Sequence, residues 1–368
     1  MFGTVGSGKS NTAQVIIEET SANNFAVVVI DIEGEYVSMD EPSHELRDKL
    51  SDFGLKPEGL KNFWVYYPVA GECKRRKAIP FDIGLSSMDP YILSEILNFT
   101  EAQERVFFEL IDKLVEKKTE EGEEKEEKSE AIKFLEGESD EVSGQYTILD
   151  AFKMLFGEII PHLRGGEKAA GYTLAKKLKK LNRAKIFDQK NVSELQIESL
   201  LKPGRVSVVD VSGCDEEVKN IVIAWLLKKV FTLKIENPEK TPKTLILLEE
   251  AHTFVSREAK DKMAATLGMI RTIARRGRKR WLCLCFISQQ PAHLPNEIFE
   301  LCNTRIIHSI KSEHNLQALK ATGGDIVEEV WTQIPSLGVG QAIISSPQFN
   351  HPIQVDIRPA KSKRELVD

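Results

Sequence analysis

The chain has 368 residues, 41% of them hydrophobic and 29% charged, with a formal net charge of −6. That balance is globular, with length for one large domain plus an insertion or for two domains. It holds no run of 18 apolar residues that would make a membrane span, and its acidity argues against a protein that coats DNA with its whole outer surface.

The first recognisable element comes at once. Residues Gly3 to Ser10 read G-T-V-G-S-G-K-S, which fills the pattern G-x-x-x-x-G-K-[ST] of a phosphate-binding loop. Such a loop cradles phosphates with backbone N–H groups, and its glycines permit the close approach. Gly3, Val5, Gly6, Ser7, Gly8, Lys9, Ser10 and Asn11 are therefore expected to line a nucleoside triphosphate site. Lys9 would reach the β- and γ-phosphates, and Ser10 would hold Mg²⁺ through its hydroxyl. Asn11 to Ala22 then reads as a helix whose N-terminus points at the phosphates. A chance match in a flexible loop is the plainer alternative. The loop starts at the third residue, so the strand that should lead into it is almost wholly missing, and open strand edges are expected nearby.

Phe25 to Asp31 (F-A-V-V-V-I-D) is a short apolar run ending in an acid, as a strand buried on both faces would be. Asp31 could order the Mg²⁺ site or a subunit contact, and Glu33 and Glu35 follow in the same turn. Asn62 to Tyr67 is another strand. From Ser86 to Lys202 the apolar spacing becomes helical, interrupted between Glu116 and Glu141 by a run of Glu and Lys that reads as a solvated helix extension or a disordered loop. Three segments follow: 1–85 as the first part of a core, 86–202 as a helical insertion with the charged stretch 116–141, and 203–368 as the rest of the core. In that last part strands are predicted at Val206–Val211, Thr244–Leu248, Leu282–Ser288, Asn303–His308 and Gly340–Ser345. Helices are predicted at Glu217–Thr232 and Lys262–Arg276. Alternation of this kind gives right-handed crossovers and a mainly parallel sheet with helices on both faces.

The second half narrows the chemistry. Leu245 to Glu250 (L-I-L-L-E-E) is an apolar strand with two acids at its tip, and adjacent side chains on a strand point different ways. Glu249 is assigned to the metal and Glu250 to polarising the attacking water; an exposed acidic turn before a helix is the alternative. The strand at Leu282–Ser288 runs into Gln289, placed where open α/β sheets bind ligands and able to contact a γ-phosphate; Gln290 is the adjacent choice, and a turn residue ahead of Pro291 the plain one. Between these lies R-T-I-A-R-R-G-R-K-R, residues 271–280, five of whose ten residues are arginine. Three uses compete for it: an arginine finger given to a neighbour's γ-phosphate, contact with a nucleic-acid backbone, or a solvated helix end. The five cysteines (Cys73, Cys214, Cys283, Cys285 and Cys302) are dispersed without a C-x-x-C pair, as reduced thiols in a cytoplasm would be. Cys283 and Cys285 are expected to be ordinary buried strand residues. Nothing at the N-terminus reads as a secretory signal.

Taken in order, these segments resemble the HerA branch of the HerA–FtsK superfamily of ATP-driven DNA pumps. The matching strings are G-T-V-G-S-G-K-S, V-I-D-I-E-G-E-Y, P-G-R-V-S-V-V-D-V-S-G, L-L-E-E-A-H-T-F-V, I-A-R-R-G-R-K-R, F-I-S-Q-Q-P-A-H-L and C-N-T-R-I-I-H. The resemblance implies an α/β fold with a RecA-like P-loop NTPase core, ATP and Mg²⁺ as cofactors, and a hexameric ring that pumps duplex DNA through a central pore. It also implies a NurA-type nuclease as partner and double-strand-break end resection as the task. By the same match Glu249 and Glu250 form the acidic pair, Arg275 is the first candidate finger, Arg278 the second, and Gln289 the sensor. Two other readings stay open: a nucleotide-binding assembly protein or truncated fragment that hydrolyses weakly, and a protein-translocating ATPase of the same superfamily. Family members carry a β-barrel domain and an arginine ahead of the loop, so a truncated start is expected here. Gln290 stands where relatives usually place arginine.

Overall fold

The computed structural model describes residues 1–45, 47–133, 146–251, 253, 264–322 and 326–365; for 120–133, 265 and 297 only the course of the backbone is described. The chain divides into two compact units, residues 1–79 with 196–368, and residues 80–195.

The first unit is built on a sheet of order β3-β2-β4-β1-β5-β6. Its strands are β1 (Ala26–Asp31), β2 (Phe63–Pro68), β3 (Ile79–Phe81), β4 (Val206–Asp210), β5 (Thr244–Leu248) and β6 (Leu282–Phe286). The pairs β1–β4, β1–β5, β2–β4 and β5–β6 are all parallel. Every residue of β1, β4 and β5 is buried, which is why these strands read as unbroken apolar runs rather than alternating ones. The chain leaves this unit through β3, a three-residue strand that the sequence pattern does not reveal.

A second sheet, β7 (Arg305–Ile307), β8 (Gln341–Ser345) and β9 (Ile353–Asp356), is antiparallel throughout. Met1 and Phe2 stitch it to the first. The Met1 ammonium donates to the Phe286 carbonyl at 2.6 Å, and Ser288 N–H returns a bond to the Met1 carbonyl at 3.0 Å. On the other side Phe2 N–H donates to Ile306 at 2.9 Å and His308 N–H donates to Phe2 at 2.8 Å. Two extended residues, parallel to both neighbours, thus aim the loop that begins at Gly3. Beyond them, among the described residues, β6 has no strand along its far side. That corrects one sequence expectation: Cys283 is exposed and Cys285 half-buried, not enclosed, because this edge of β6 is covered only at its carboxyl end.

The C-terminal segment crosses the helix Lys9–Ala22 and is tied to it. Glu18 is buried, and its Oε1 accepts from Lys361 N–H, Ser362 N–H and Ser362 Oγ at 2.7–2.8 Å while Oε2 pairs with Arg358 at 2.8 Å. Three hydrogen bonds to one oxygen and an ion pair at the other, which has no hydrogen-bond partner of its own, make the burial of this carboxylate tolerable.

The second unit is helical: Pro90–Ile96, Glu101–Lys133, Ile148–Met154 and Gly165–Arg183. Asp89 caps the first by accepting from Tyr91 and Ile92 N–H, with Pro90 at the first helical position, and Thr147 with Asp150 forms a capping box on the third. The helix Glu101–Lys133 runs into the charged stretch; its remainder, 134–141, lies outside the described residues. No helix among the described residues is long and apolar enough to cross a membrane.

Candidate active site

The loop between Phe2 and the helix Lys9–Ala22 turns twice through the left-handed region, at Gly6 (φ 74°) and Gly8 (φ 105°). Gly6 has open space where a Cβ would go, so its torsion alone calls for glycine; at Gly8 a Cβ would also sit 3.0 Å from the Gly340 nitrogen. Ser7 Oγ donates to the Thr4 carbonyl at 2.7 Å, and the buried Lys9 donates its ammonium to the same oxygen at 2.9 Å. Val5 is 81% exposed at the tip. Ser10 sits in the first turn of the helix. Asn11 turns its amide to the C-terminal segment, donating to Arg358 O at 2.9 Å and accepting from Ala360 N–H at 2.8 Å.

Three neighbouring strands end in acids at one level. Asp31 pairs with Asp210 across β1 and β4, and Ile30 pairs with Leu248 across β1 and β5, which sets Glu249 beside Asp31. Asp31 accepts from Gly34 N–H at 2.7 Å, Glu35 N–H at 3.2 Å and Tyr36 N–H at 2.8 Å, and so folds the turn that follows β1 back over the sheet edge. That turn delivers Tyr36, fully buried, whose hydroxyl donates to Glu249 Oε1 at 2.9 Å. Oε2 of Glu249 is buried without a hydrogen-bond partner. Burial, and then the charge of Asp31, pushes Glu249 up to about 9, and burial lifts Asp31 to about 7.

Glu250 diverges from Glu249. It adopts φ 43°, a left-handed conformation rarely held by a residue with a side chain, and its Oε1 accepts from the Gln289 amide. Adjacent acids therefore serve different sides of the cleft, one toward Tyr36 and Asp31, the other toward Gln289. Lys9 belongs to the same electrostatic system. Burial lowers its pKa, while the charges of Glu250 and Glu249 raise it. A buried ammonium, a left-handed glycine loop at a helix N-terminus and an acid with an unmet oxygen are the groups that a phosphate chain and a divalent cation would need.

The arginines lie elsewhere. Arg275 and Arg276 end the helix Ala264–Arg276, and Arg278 is in the turn Gly277–Arg280 just before β6. All three are exposed. They stand at the amino edge of the sheet, whereas Lys9 and the acidic pair stand at the carboxyl edge, a strand's length of about 17 Å away. His252 of the Glu-Glu-Ala-His string lies outside the described residues. Gln290 points its N–H at Ser288 Oγ.

Three residues were not singled out from sequence. Asp210 and Tyr36 had faint signals, an acid closing V-S-V-V-D and an aromatic five places after Asp31. His308 had none beyond its place after β7. It is fully buried; Nδ1 donates to the Gln341 carbonyl at 2.9 Å, which leaves Nε2 to accept from Thr12 Oγ1 at 3.0 Å. Burial, helped by the Lys9 charge, pushes the imidazole down to about 4. The ring thus braces the phosphate-loop helix in its neutral form. Its stabilising contribution is whole above pH 6.5 and is lost progressively as the pH falls toward 4, a window worth about 3 kcal/mol by linkage. Observed by NMR, the ring is expected to stay neutral to about pH 4, and titration near 6.5 would contradict the brace.

The fold and this cleft define a RecA-like P-loop NTPase with a helical insertion. The model of "Helicase HerA, central domain" matches residues 1–230 and that of "Helicase HerA-like C-terminal" matches residues 178–360, so the chain belongs to the HerA helicase family. It is 23% identical over 99% of its length to the "DNA double-strand break repair helicase HerA" of Sulfurisphaera tokodaii, and spans 65% of that protein. It is 24% identical over 96% of its length to the "Probable helicase MJECL08" of Methanocaldococcus jannaschii and spans 64% of it. The chain thus covers a little under two thirds of these relatives. Among solved structures it resembles VirB4 of Thermoanaerobacter pseudethanolicus (TM-score 0.62, 16% identity, 98% of this chain and 88% of that one). The plasmid coupling protein TrwB in complex with ADP and Mg²⁺ shares the fold as well (TM-score 0.59, 11% identity, 100% and 86%).

Proposed function

We propose that this chain is the motor portion of an ATP-driven DNA translocase. The observation that carries the reading is the carboxyl-edge cleft, where the Gly3–Ser10 loop and Lys9 share one electrostatic site with Glu249 and Glu250, and Gln289 bonds the second acid. The names of the relatives, helicases of double-strand-break repair, supply duplex DNA as the substrate class. A ring assembly of six subunits and a NurA-type nuclease partner belong to the same proposal, as does end resection as the task.

Bound Mg²⁺ would neutralise charge on the β- and γ-phosphates of ATP, and Ser10 and Glu249 are the residues that would hold it. The chain's own groups do the rest. Gly6, Ser7, Gly8, Lys9 and the first turn of the helix Lys9–Ala22 bind and orient the phosphates. Tyr36 fixes the rotamer of Glu249 by its 2.9 Å bond. Glu250 accepts a proton from water, and Gln289 ties that carboxylate to the end of β6. Little covalent chemistry is asked of the protein; positioning and charge stabilisation supply the rate.

Steady-state ATPase with and without duplex DNA tests the reading. Stimulation by duplex is expected, and Lys9→Ala should lower turnover by about 10²–10³-fold, the scale of losing one preorganised charge donor. Nucleotide binding with turnover indifferent to DNA would replace this proposal with an assembly protein or a pump for polypeptides.

A further inference from the structure

One helix of the second unit gathers charge of one sign on one face. The helix Gly165–Arg183 holds six basic residues against one acid, Glu167, in a chain whose net charge is −6. Ala170, Leu174, Leu178 and Leu181 bury its inner side. Lys177 belongs to that packing: its ammonium donates to Leu97 O at 2.8 Å, Asn98 O at 2.9 Å and Gln103 Oε1 at 2.9 Å, and lies 5.0 Å over the Phe99 ring. Others face outward. At about 100° per residue, Lys168, Tyr172, Lys176, Lys179 and Arg183 fall within an arc of about 80° and spread along about 22 Å of axis. All five are exposed. Beside them the Tyr172 ring meets that of Phe156 at 6.4 Å, and Phe156 is itself 50% exposed on the π-helical turn Leu155–Ile159.

An ordinary solvated helix interleaves acids with bases three or four residues apart. Here no acid stands at those spacings from Lys176, Lys179 or Arg183, and Lys179 with Arg183 is a repelling pair one turn apart. The face therefore carries a repulsion that a row of fixed negative charges would relieve. The phosphates of duplex DNA form such a row, one per about 3.4 Å of axis on each strand. A lipid surface fits less well, since helices that lie on membranes insert an apolar face, and the apolar face of this one is already packed.

We propose that this face of the helical unit docks on the phosphate backbone of duplex DNA, with Lys168, Lys176, Lys179 and Arg183 each closing on a phosphate and Tyr172 donating its hydroxyl to one. The proposal rests on the translocase reading. It is tested on the full chain carrying K168Q, K176Q, K179Q and R183Q together, by anisotropy of a labelled random-sequence duplex across a salt series. The slope of log K against log[salt] should become shallower by about 0.9 for each phosphate no longer neutralised, about 3–4 in all, with affinity reduced equally for unrelated sequences. ATPase without DNA and the circular dichroism spectrum should be unchanged. If the fourfold variant is unfolded, K168Q with K176Q should give about half the change. A wild-type chain that binds duplex, with a variant of the same slope, overturns the docking face alone. A wild-type chain that binds no duplex at any salt overturns the translocase reading and this face with it, and binding to phosphatidylserine vesicles in place of duplex does the same.

Discussion

Glu250→Gln is expected to lower ATP turnover by about 10²–10⁴-fold, the usual contribution of a positioned general base, while ATP still binds. The substitution is close to isosteric. It keeps an oxygen for the Gln289 amide, and it inherits the same left-handed backbone at φ 43°, so neither packing nor strain changes much. What disappears is a carboxylate able to take a proton. Phosphate binding rests on the loop and Lys9, which the change leaves alone, so the nucleotide dissociation constant should move little. Single-turnover hydrolysis measured beside equilibrium binding separates the two effects. Normal turnover in the variant would transfer the water-polarising role to another group.

Arg275→Ala should be the more damaging change for assembled protein, with turnover reduced by about 10³–10⁵-fold and ATP binding kept, as when an arginine finger is withdrawn. Topology is the reason. Helix Ala264–Arg276 descends from the carboxyl edge after β5 to the amino edge before β6, so its last turn is carried away from its own loop. Arg275 is exposed there and cannot serve the cleft of its own subunit. A fork of donors at that place fits phosphate bidentately when a neighbour presents its carboxyl edge. Mixing Arg275→Ala subunits with Lys9→Ala subunits should then restore part of the activity, because some junctions join an intact loop to an intact arginine. Absence of rescue at every mixing ratio would remove the finger assignment and return the residue to the other two uses its sequence allows.

The core was legible because burial on both faces writes itself as unbroken apolar runs. V-V-V-I-D, V-S-V-V-D and T-L-I-L-L end within a residue or two of the strands they became. Two short strands were not legible. Ile79–Phe81 and Ile353–Asp356 have three and four residues, too few for a period, and both are mostly outside the deep core. The compact units divide at 79/80 and 195/196, beside the expected segments at 85/86 and 202/203. In the cleft, the loop and the acidic pair announced themselves by residue type. Tyr36, Asp210 and His308 act through register and burial, which a linear pattern does not carry. The cysteine expectation failed for a related reason: an apolar strand looks enclosed on paper even where one of its edges has a neighbour only at its carboxyl end.

The placement of loop and arginines on opposite edges of one sheet has a consequence for how copies can associate. A contact that sets the amino edge of one copy against the carboxyl edge of the next is heterologous, so it cannot be satisfied by a two-fold pair and always leaves one unmatched surface at each end. Growth of such a chain stops only by curling shut or else runs on as a helical filament, and the small rotation from copy to copy decides between the two.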